Sequence, residues 1–333
     1  MVVPASSTPA RRRLWQATSI ALPLLLAAAC VAVNGWVPWL NALLIALLLG
    51  TLLANVGATL HPVLAGHARW TKLALRAGIV VFGLRLPVQD VLDLGWGGIV
   101  IIVATVAATY VVTVLVGDRM RLPRDLVTLV AAGFAVCGAA AIAAVQDTVR
   151  ASKAAVATAL ALVTIFGSIL IGAVPLFGAL LGMTPTDTGM WAGASIHEVA
   201  QVVAASSIVG GAAIAAATTV KLGRVVLLAA VNAVAARRRP DDARGTSRVS
   251  IVPWFIVGFL AAVAVRSTGL LPPVVLDIAT VVANVLLAAG MLGLGLGIRL
   301  RSLLPVPWRA VGLAGVSTAT ALLISLGLIA ILP

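Results

Sequence analysis

Gly97-Gly98-Ile99-Val100-Ile101-Ile102-Val103-Ala104-Thr105-Val106, continued by Ala107-Ala108-Thr109-Tyr110-Val111-Val112-Thr113-Val114-Leu115-Val116, carries no charge until Asp118-Arg119 closes it. About 20 such residues in a helix cross the hydrocarbon core of a bilayer, where only a helix or a closed barrel satisfies its own backbone. Working outward, apolar runs of similar length recur to both ends of the 333-residue chain, with short polar breaks between them. The chain is 62% hydrophobic and 10% charged, against roughly 25% charged in soluble domains. A water-soluble fold is excluded, and no stretch remains for a separate soluble domain. The net charge of +13 would suggest nucleic acid in a soluble protein. Here Arg and Lys gather in the breaks, which is a topology signal. The expected environment is a lipid bilayer, with no nucleic-acid partner.

These runs predict an all-α integral membrane protein of about eleven transmembrane helices. They lie near 14–33, 37–57, 73–93, 97–116, 126–146, 152–176, 189–210, 212–236, 251–265, 274–298 and 308–332. Residues 1–13 read as a basic cytoplasmic tail, 14–333 as a single transmembrane transporter domain, and 237–250 as a basic cytoplasmic loop. Cytoplasmic loops are rich in Lys and Arg. With the N-terminus inside, the breaks bearing Arg69, Lys72 and Arg76, Arg119 to Arg124, Arg237 to Arg248, and Arg299 to Arg309 all fall inside. The C-terminus then falls outside, and the expected location is a bacterial inner (plasma) membrane. One break disagrees: Arg150 and Lys153 fall outside, and the neutral Thr184–Thr188 inside. Either 126–146 and 189–210 re-enter rather than span, or the signal is weak there; eleven spans is the preferred reading. Arg11-Arg12-Arg13 before an apolar run reaching Ala29-Cys30 resembles a lipoprotein signal. The run continues past Cys30, so an uncleaved first helix is the simpler account.

Many secondary transporters are inverted repeats that hold substrate between broken helices at the midplane. Lys72-Leu73-Ala74-Leu75-Arg76 resembles Lys221-Leu222-Gly223-Arg224. A shift of about 150 residues lays 37–176 over 189–333, five helices on five and turned upside down, with 14–33 as an extra helix. In this scheme 126–146 and 274–298 correspond. Both are rich in small residues, with Gly133, Cys137, Gly138 and Ala139 in one and Gly290, Gly293, Gly295 and Gly297 in the other. Glycine weakens helices and lets backbones approach, so the pair reads either as close packing or as two broken crossing helices that face substrate.

Gly193-Ala194-Ser195-Ile196-His197-Glu198-Val199-Ala200-Gln201 sets an acid and an imidazole among apolar residues. A charge at the bilayer centre costs about 2.5–3.5 kcal/mol, which makes such residues functional candidates; the alternative is a fixed hydrogen-bond network around Glu198. His197 and Gln201 share one helix face and Ser195 and Glu198 the next. The His–Glu pair has the chemistry to carry protons. Gln201 stands where a helical zinc protease needs its second histidine, and Cys30 and Cys137 sit apart in apolar runs. No metal, cofactor or disulfide is expected. Lys221 and Arg224 share a face, with Asn232 two turns beyond Arg224. Two buried cations invite an acid or an anionic substrate, Arg224 as an oxyanion fork and Lys221 as a point charge. Alternatively both snorkel to the headgroups.

Phe134-Ala135-Val136-Cys137-Gly138-Ala139-Ala140-Ala141-Ile142, the stretch from Gly193 to Val203, and Lys221-Leu222-Gly223-Arg224 occur in that order. Together they resemble the YeiH-like family of bacterial multi-pass membrane proteins, which carries a sulfate-exporter label. The resemblance covers nearly the whole chain. It implies kinship with the cation/proton antiporter and anion transporter superfamily, which includes the bile-acid sodium symporters, and with it inverted five-helix repeats and crossing broken helices. Two positions depart from the family pattern. Ala140 stands where a Ser often follows Cys-Gly-Ala, which removes a hydroxyl that could contact substrate. Ala230 stands where a Pro often follows, which puts a kink in doubt.

The leading expectation is ion-coupled, alternating-access export of a small anion such as sulfate or an organic sulfonate. Lys221 and Arg224 supply the positive field, and the backbone around Cys137, Gly138 and Ala139 the close approach. Ser195 and Gln201 join them as substrate-binding candidates, and His197 with Glu198 couples the cycle to protons or sodium. The runner-up is a cation/proton antiporter with Glu198 as carrier, although 126–146 and 274–298 hold only Asp147 and Asp277, at or near their ends. An enzyme would need a positioned nucleophile and base. Cys137 and His197 are the only such pair and show no third member, so no catalytic residue is expected. A membrane scaffold would not need buried charges. A homodimer is a common assembly and is kept as a partner expectation.

Overall fold

A computed structural model describes residues 21–33, 42–56, 67–85, 87–238, 254–296 and 307–332. The basic tail, most of the loop 237–250, Gly297 and Arg299 to Arg301 lie outside them. The regular structure of the described residues is helical. In chain order the helices are α1 (Ala21–Val33), α2 (Ala42–Val56), α3 (His67–Phe82), α4 (Val88–Leu92), α5 (Gly95–Arg119), α6 (Arg124–Ala135), α7 (Ala139–Gln146) and α8 (Lys153–Leu180). They continue with α9 (Pro185–Ser195), α10 (Val199–Val209), α11 (Gly211–Val226), α12 (Leu228–Ala236), α13 (Trp254–Ser267), α14 (Pro273–Leu296) and α15 (Trp308–Ile331). Among the described residues, five stretches are long and apolar enough to cross a membrane: α5, α8, α11 with α12, α14 and α15. The Gly97–Val116 run lies within the first of them.

The stretch 14–333, expected as one domain, packs as two compact units. In the unit of Met1–Phe82 with Pro272–Pro305, α14 packs on both α2 and α3. A Cβ on Gly78 would strike Leu287, one on Gly290 Leu75, and one on Gly293 Thr71, so α3 and α14 lie antiparallel with glycines in the contact. A Cβ on Gly295 would strike the Leu47 carbonyl of α2. The expectation that 274–298 breaks is therefore corrected. α14 is continuous, and its glycines serve close helix packing.

The other unit runs over Gly83–Leu271 with Val306–Pro333. Arg238, just past α12, pairs with Asp118 at the end of α5 and donates to Thr128 Oγ1 of α6 at 3.2 Å. Asp125, at the start of α6, accepts from the Ser152 amide at the start of α8 at 3.0 Å. These ends gather at one face of the unit, which carries Arg119, Arg121, Arg124, Arg150 and Lys153 and is called the Arg-rich face below. Because the chain enters α6 and leaves for α8 at the same face, α6 and α7 form a hairpin that dips into the unit and returns. Gly133 lies against Ile142 across it. Similarly, Gly189 lies against Ala213 and Gly193 against Ala217, so α9 and α11 run parallel. The intervening α10 must run back. This second hairpin enters from the opposite face, where Thr188 meets Gly178 near the end of α8.

The preference for two further spans here is thus corrected to the re-entry kept beside it. The four arms are 12, 8, 11 and 11 residues long, and none reaches the roughly 20 that a crossing needs. The broken pair is 126–146 with 189–210, and the two meet as hairpins rather than as crossing helices. Three residues before Ala230, α11 gives way to α12 at Leu227, whose amide turns to Arg224 O at 3.1 Å.

Candidate functional site

The first hairpin breaks at Val136-Cys137-Gly138 and the second at Ile196-His197-Glu198. At each break one half-helix ends with unpaired carbonyls and another begins with unpaired N–H groups, each end worth about half a charge. Gly138 has φ +69°, a left-handed conformation that costs glycine nothing and other residues strain. Ile196 and Glu198 are extended, which ends α9 and starts α10.

Both carbonyl ends converge on α11. Lys221 Nζ donates to Val136 O at 3.0 Å and to Ile196 O at 2.6 Å. Arg224 Nε donates to Ala135 O at 3.1 Å, and Nη2 to Phe134 O at 2.8 Å and Ala135 O at 2.7 Å. Its Nη1 donates to Ala194 O at 2.5 Å and Gly193 O at 3.2 Å. Both side chains are 0% exposed, which removes the snorkelling alternative. The guanidinium expected to fork an oxyanion is filled by main-chain carbonyls, and it ties the ends of α6 and α9 together. Lys221 uses two of its three donors in the same way.

Glu198 begins α10, and its amide donates to Gln201 Oε1 at 3.2 Å. Its side chain lies on the start of α7: a Cβ on Gly138 would stand 2.5 Å from Glu198 Cγ and 3.3 Å from its Oε1. His197 Nε2 pairs with Thr318 Oγ1 of α15 at 3.1 Å, and its ring lies 4.3 Å from that of Phe134. Glu198 Oε1 and His197 Nδ1 are buried with no hydrogen-bond partner.

Lys221, Arg224, Cys137, Gly138, Ala139, His197 and Glu198 thus meet around the two tips. Gln201 turns away, its Nε2 donating to Thr164 O at 3.2 Å and Ser168 Oγ at 3.4 Å on α8. Ser195 bonds its own helix at Trp191 O, 2.6 Å. The shared helix faces expected for His197 with Gln201 and for Ser195 with Glu198 do not exist, because the break falls between them. Sequence reasoning missed the carbonyls of Phe134, Ala135, Gly193 and Ala194, which carry no side-chain signal. It also missed Thr318, one of several hydroxyls in an apolar helix.

This arrangement lies within the part of the chain that recurs elsewhere. The family profile described as "Conserved hypothetical protein 698" matches residues 18–314. The chain belongs to the YeiH-like UPF0324 family of bacterial membrane proteins. A UPF0324 membrane protein of Corynebacterium glutamicum is 39% identical over 277 residues, covering 82% of this chain and 80% of that protein. One from Pseudomonas aeruginosa is 35% identical over 317 residues, 88% of each chain. The UPF0324 inner membrane protein YeiH of Salmonella typhimurium is 35% identical over 267 residues, 77% of this chain and 76% of that one. No solved structure matches. The three motifs that carried the resemblance map onto the two hairpin tips and the helix that joins them, so the most recognisable sequence of this UPF0324 chain is also its buried polar centre.

Proposed function

We propose that this UPF0324 protein is an ion-coupled secondary transporter of a small anion such as sulfate or an organic sulfonate, with no enzymatic role. The observation that carries this reading is the meeting of two opposed, re-entrant hairpins at a buried charged cluster. Non-helical backbone at membrane depth is tolerated where protein encloses it or where it lines a cavity, and transporters place their sites at such breaks. The four half-helix ends roughly cancel. Lys221 and Arg224 then leave about one positive charge in excess when Glu198 is ionised and about two when it is protonated, a balance that favours an anion bound together with a proton. Export is the direction to test first. With cytoplasmic faces Arg- and Lys-rich, the Arg-rich face is cytoplasmic in an inner membrane and the C-terminus is outside.

Flux of labelled sulfate and of taurine-like sulfonates in proteoliposomes, under imposed proton and sodium gradients, tests it. The native chain is expected to move the anion with a proton gradient, and Glu198→Gln to lose the gradient dependence. No anion flux under any gradient would sink the reading. The unpartnered Glu198 Oε1 favours one alternative, a cation/proton antiporter; cation-driven proton movement without sulfate flux in the same vesicles would select it.

A further inference from the structure

The two hairpin tips keep their poles apart. The carbonyl ends, from Phe134 to Val136 and from Gly193 to Ile196, are buried against α11 and filled by Lys221 and Arg224. The N–H ends open α7 and α10. In α7 the Ile142 amide donates one turn back to Gly138 O at 3.1 Å, and in α10 the Val202 amide donates to Glu198 O at 2.9 Å. The amides of residues 139–141 and 199–201 come before these first helical bonds and need other acceptors. Ala140 and Val199, in the same first turns, are partly exposed.

One group answers both N–H ends. The Glu198 side chain forms a capping box with Gln201 at the start of α10 and meets the Ala139 amide at the start of α7. Its Oε1 lies over Gly138 and is buried with no hydrogen-bond partner. The Ala141 amide meets the Cys137 sulfur. Lys221, with one donor left, acts by its charge on Cys137 and Glu198 alike. Arg224 is taken up by carbonyls, and His197 turns to Thr318 of α15 and to the Phe134 ring. The place suits an anion: two helix starts of about half a positive charge each stand beside a buried ammonium. Glu198 is the only buried acid among the described residues, so the anion held there is the chain's own carboxylate.

We propose that the N–H ends of α7 and α10 form an oxyanion seat, and that the Glu198 carboxylate fills it as a tethered anion, so that sulfate or a sulfonate enters only in exchange for it. The exchange sets the coupling. An ionised Glu198 holds the seat. When a proton from water adds to a carboxylate oxygen, the neutral acid loses its attraction to the helix starts and to Lys221. It then yields to an anion whose oxygens accept from the same amides. Return of the proton to water restores the carboxylate, which displaces the anion. Proton and anion bind one for one, and the charge of Glu198 opposes the anion instead of helping to hold it. The inference rests on the anion reading of the tips and adds the groups that take the anion.

Isothermal titration calorimetry of the full-length protein in detergent, with sulfate and methanesulfonate as probes, tests the exchange. Native affinity for either probe is expected to rise about tenfold for each unit of falling pH over the range in which Glu198 is ionised. Glu198→Gln, which keeps the size and ends the charge, is expected to bind at every pH as the native protein binds in acid. Glu198→Ala, which empties the seat, is expected to bind at least as tightly. A carboxylate that helped to hold the anion would give the reverse, so weaker binding in both variants overturns the exchange, and so does native affinity that ignores pH. Should Glu198→Ala melt early, Glu198→Gln decides alone. Vesicle flux separates this inference from the transport reading. Sulfate flux together with pH-independent native binding removes the exchange and leaves transport standing, whereas the expected binding pattern without flux keeps the seat and removes transport. Binding of neither probe to any of the three proteins overturns the seat.

Discussion

Arg224 serves the carbonyls of Phe134, Ala135, Gly193 and Ala194, and none of these has a neighbour in its own helix left to accept from. A buried polar group left unpaired costs about 1–3 kcal/mol, and breaking a buried charge arrangement about 3–5 kcal/mol. Arg224→Met is therefore expected to lose at least about 3 kcal/mol, seen as a large drop in melting temperature in detergent. Arg224→Lys, with three donors in place of five, should fall between. A native-like melt for Arg224→Met would show that the guanidinium does not hold the tips. Gly138 makes a second prediction. Its φ of +69° and the nearness of Glu198 mean that Gly138→Ala carries about 1–3 kcal/mol of strain and displaces the carboxylate. Both a lower melt and weakened proton coupling are expected; unchanged coupling would detach Glu198 from that role.

At the scale of elements, glycine has opposite meanings in neighbouring helices. On α14, a side chain at Gly293 would enter the Thr71 side chain of α3, whereas a Cβ on Gly172 of α8 meets nothing within 4 Å. Gly293→Val is expected to force the two helices apart at about 1–3 kcal/mol. Gly172→Ala is expected to be neutral or to stabilise by up to about 1 kcal/mol through helix propensity. Parallel thermal melts of the two variants check this, and equal effects would remove the packing account of the α14 glycines. The sequence showed that 126–146 and 274–298 are both rich in small residues. It could not show that the first is broken and the second whole, because a glycine that packs and a glycine that turns leave the same letter.

At the scale of the molecule, the hairpins bring Arg150 and Lys153 to the same face as Arg119 and Arg124, and the one charge-bearing break that disagreed with the others joins them. Ser152 and Thr186 are exposed at opposite faces. In a background lacking Cys30 and Cys137, a membrane-impermeant maleimide applied to whole cells is expected to label Thr186→Cys directly and Ser152→Cys only after permeabilisation. The reverse pattern would restore two spanning segments.

The sequence by itself determined the membrane class, the positions of the long helices and the family. It also marked His197, Glu198, Lys221 and Arg224 as out of place in hydrocarbon. These are local properties, because run length and residue polarity are legible without knowing any neighbour. Only the tertiary structure decided what the buried cations do and which segments turn back. The groups that answer Arg224 lie up to 90 residues away and are main-chain carbonyls, which every residue owns alike. Which of them are left unpaired depends on where two helices stop, and that is settled by the packing of α9 on α11 and of α6 on α5 and α8.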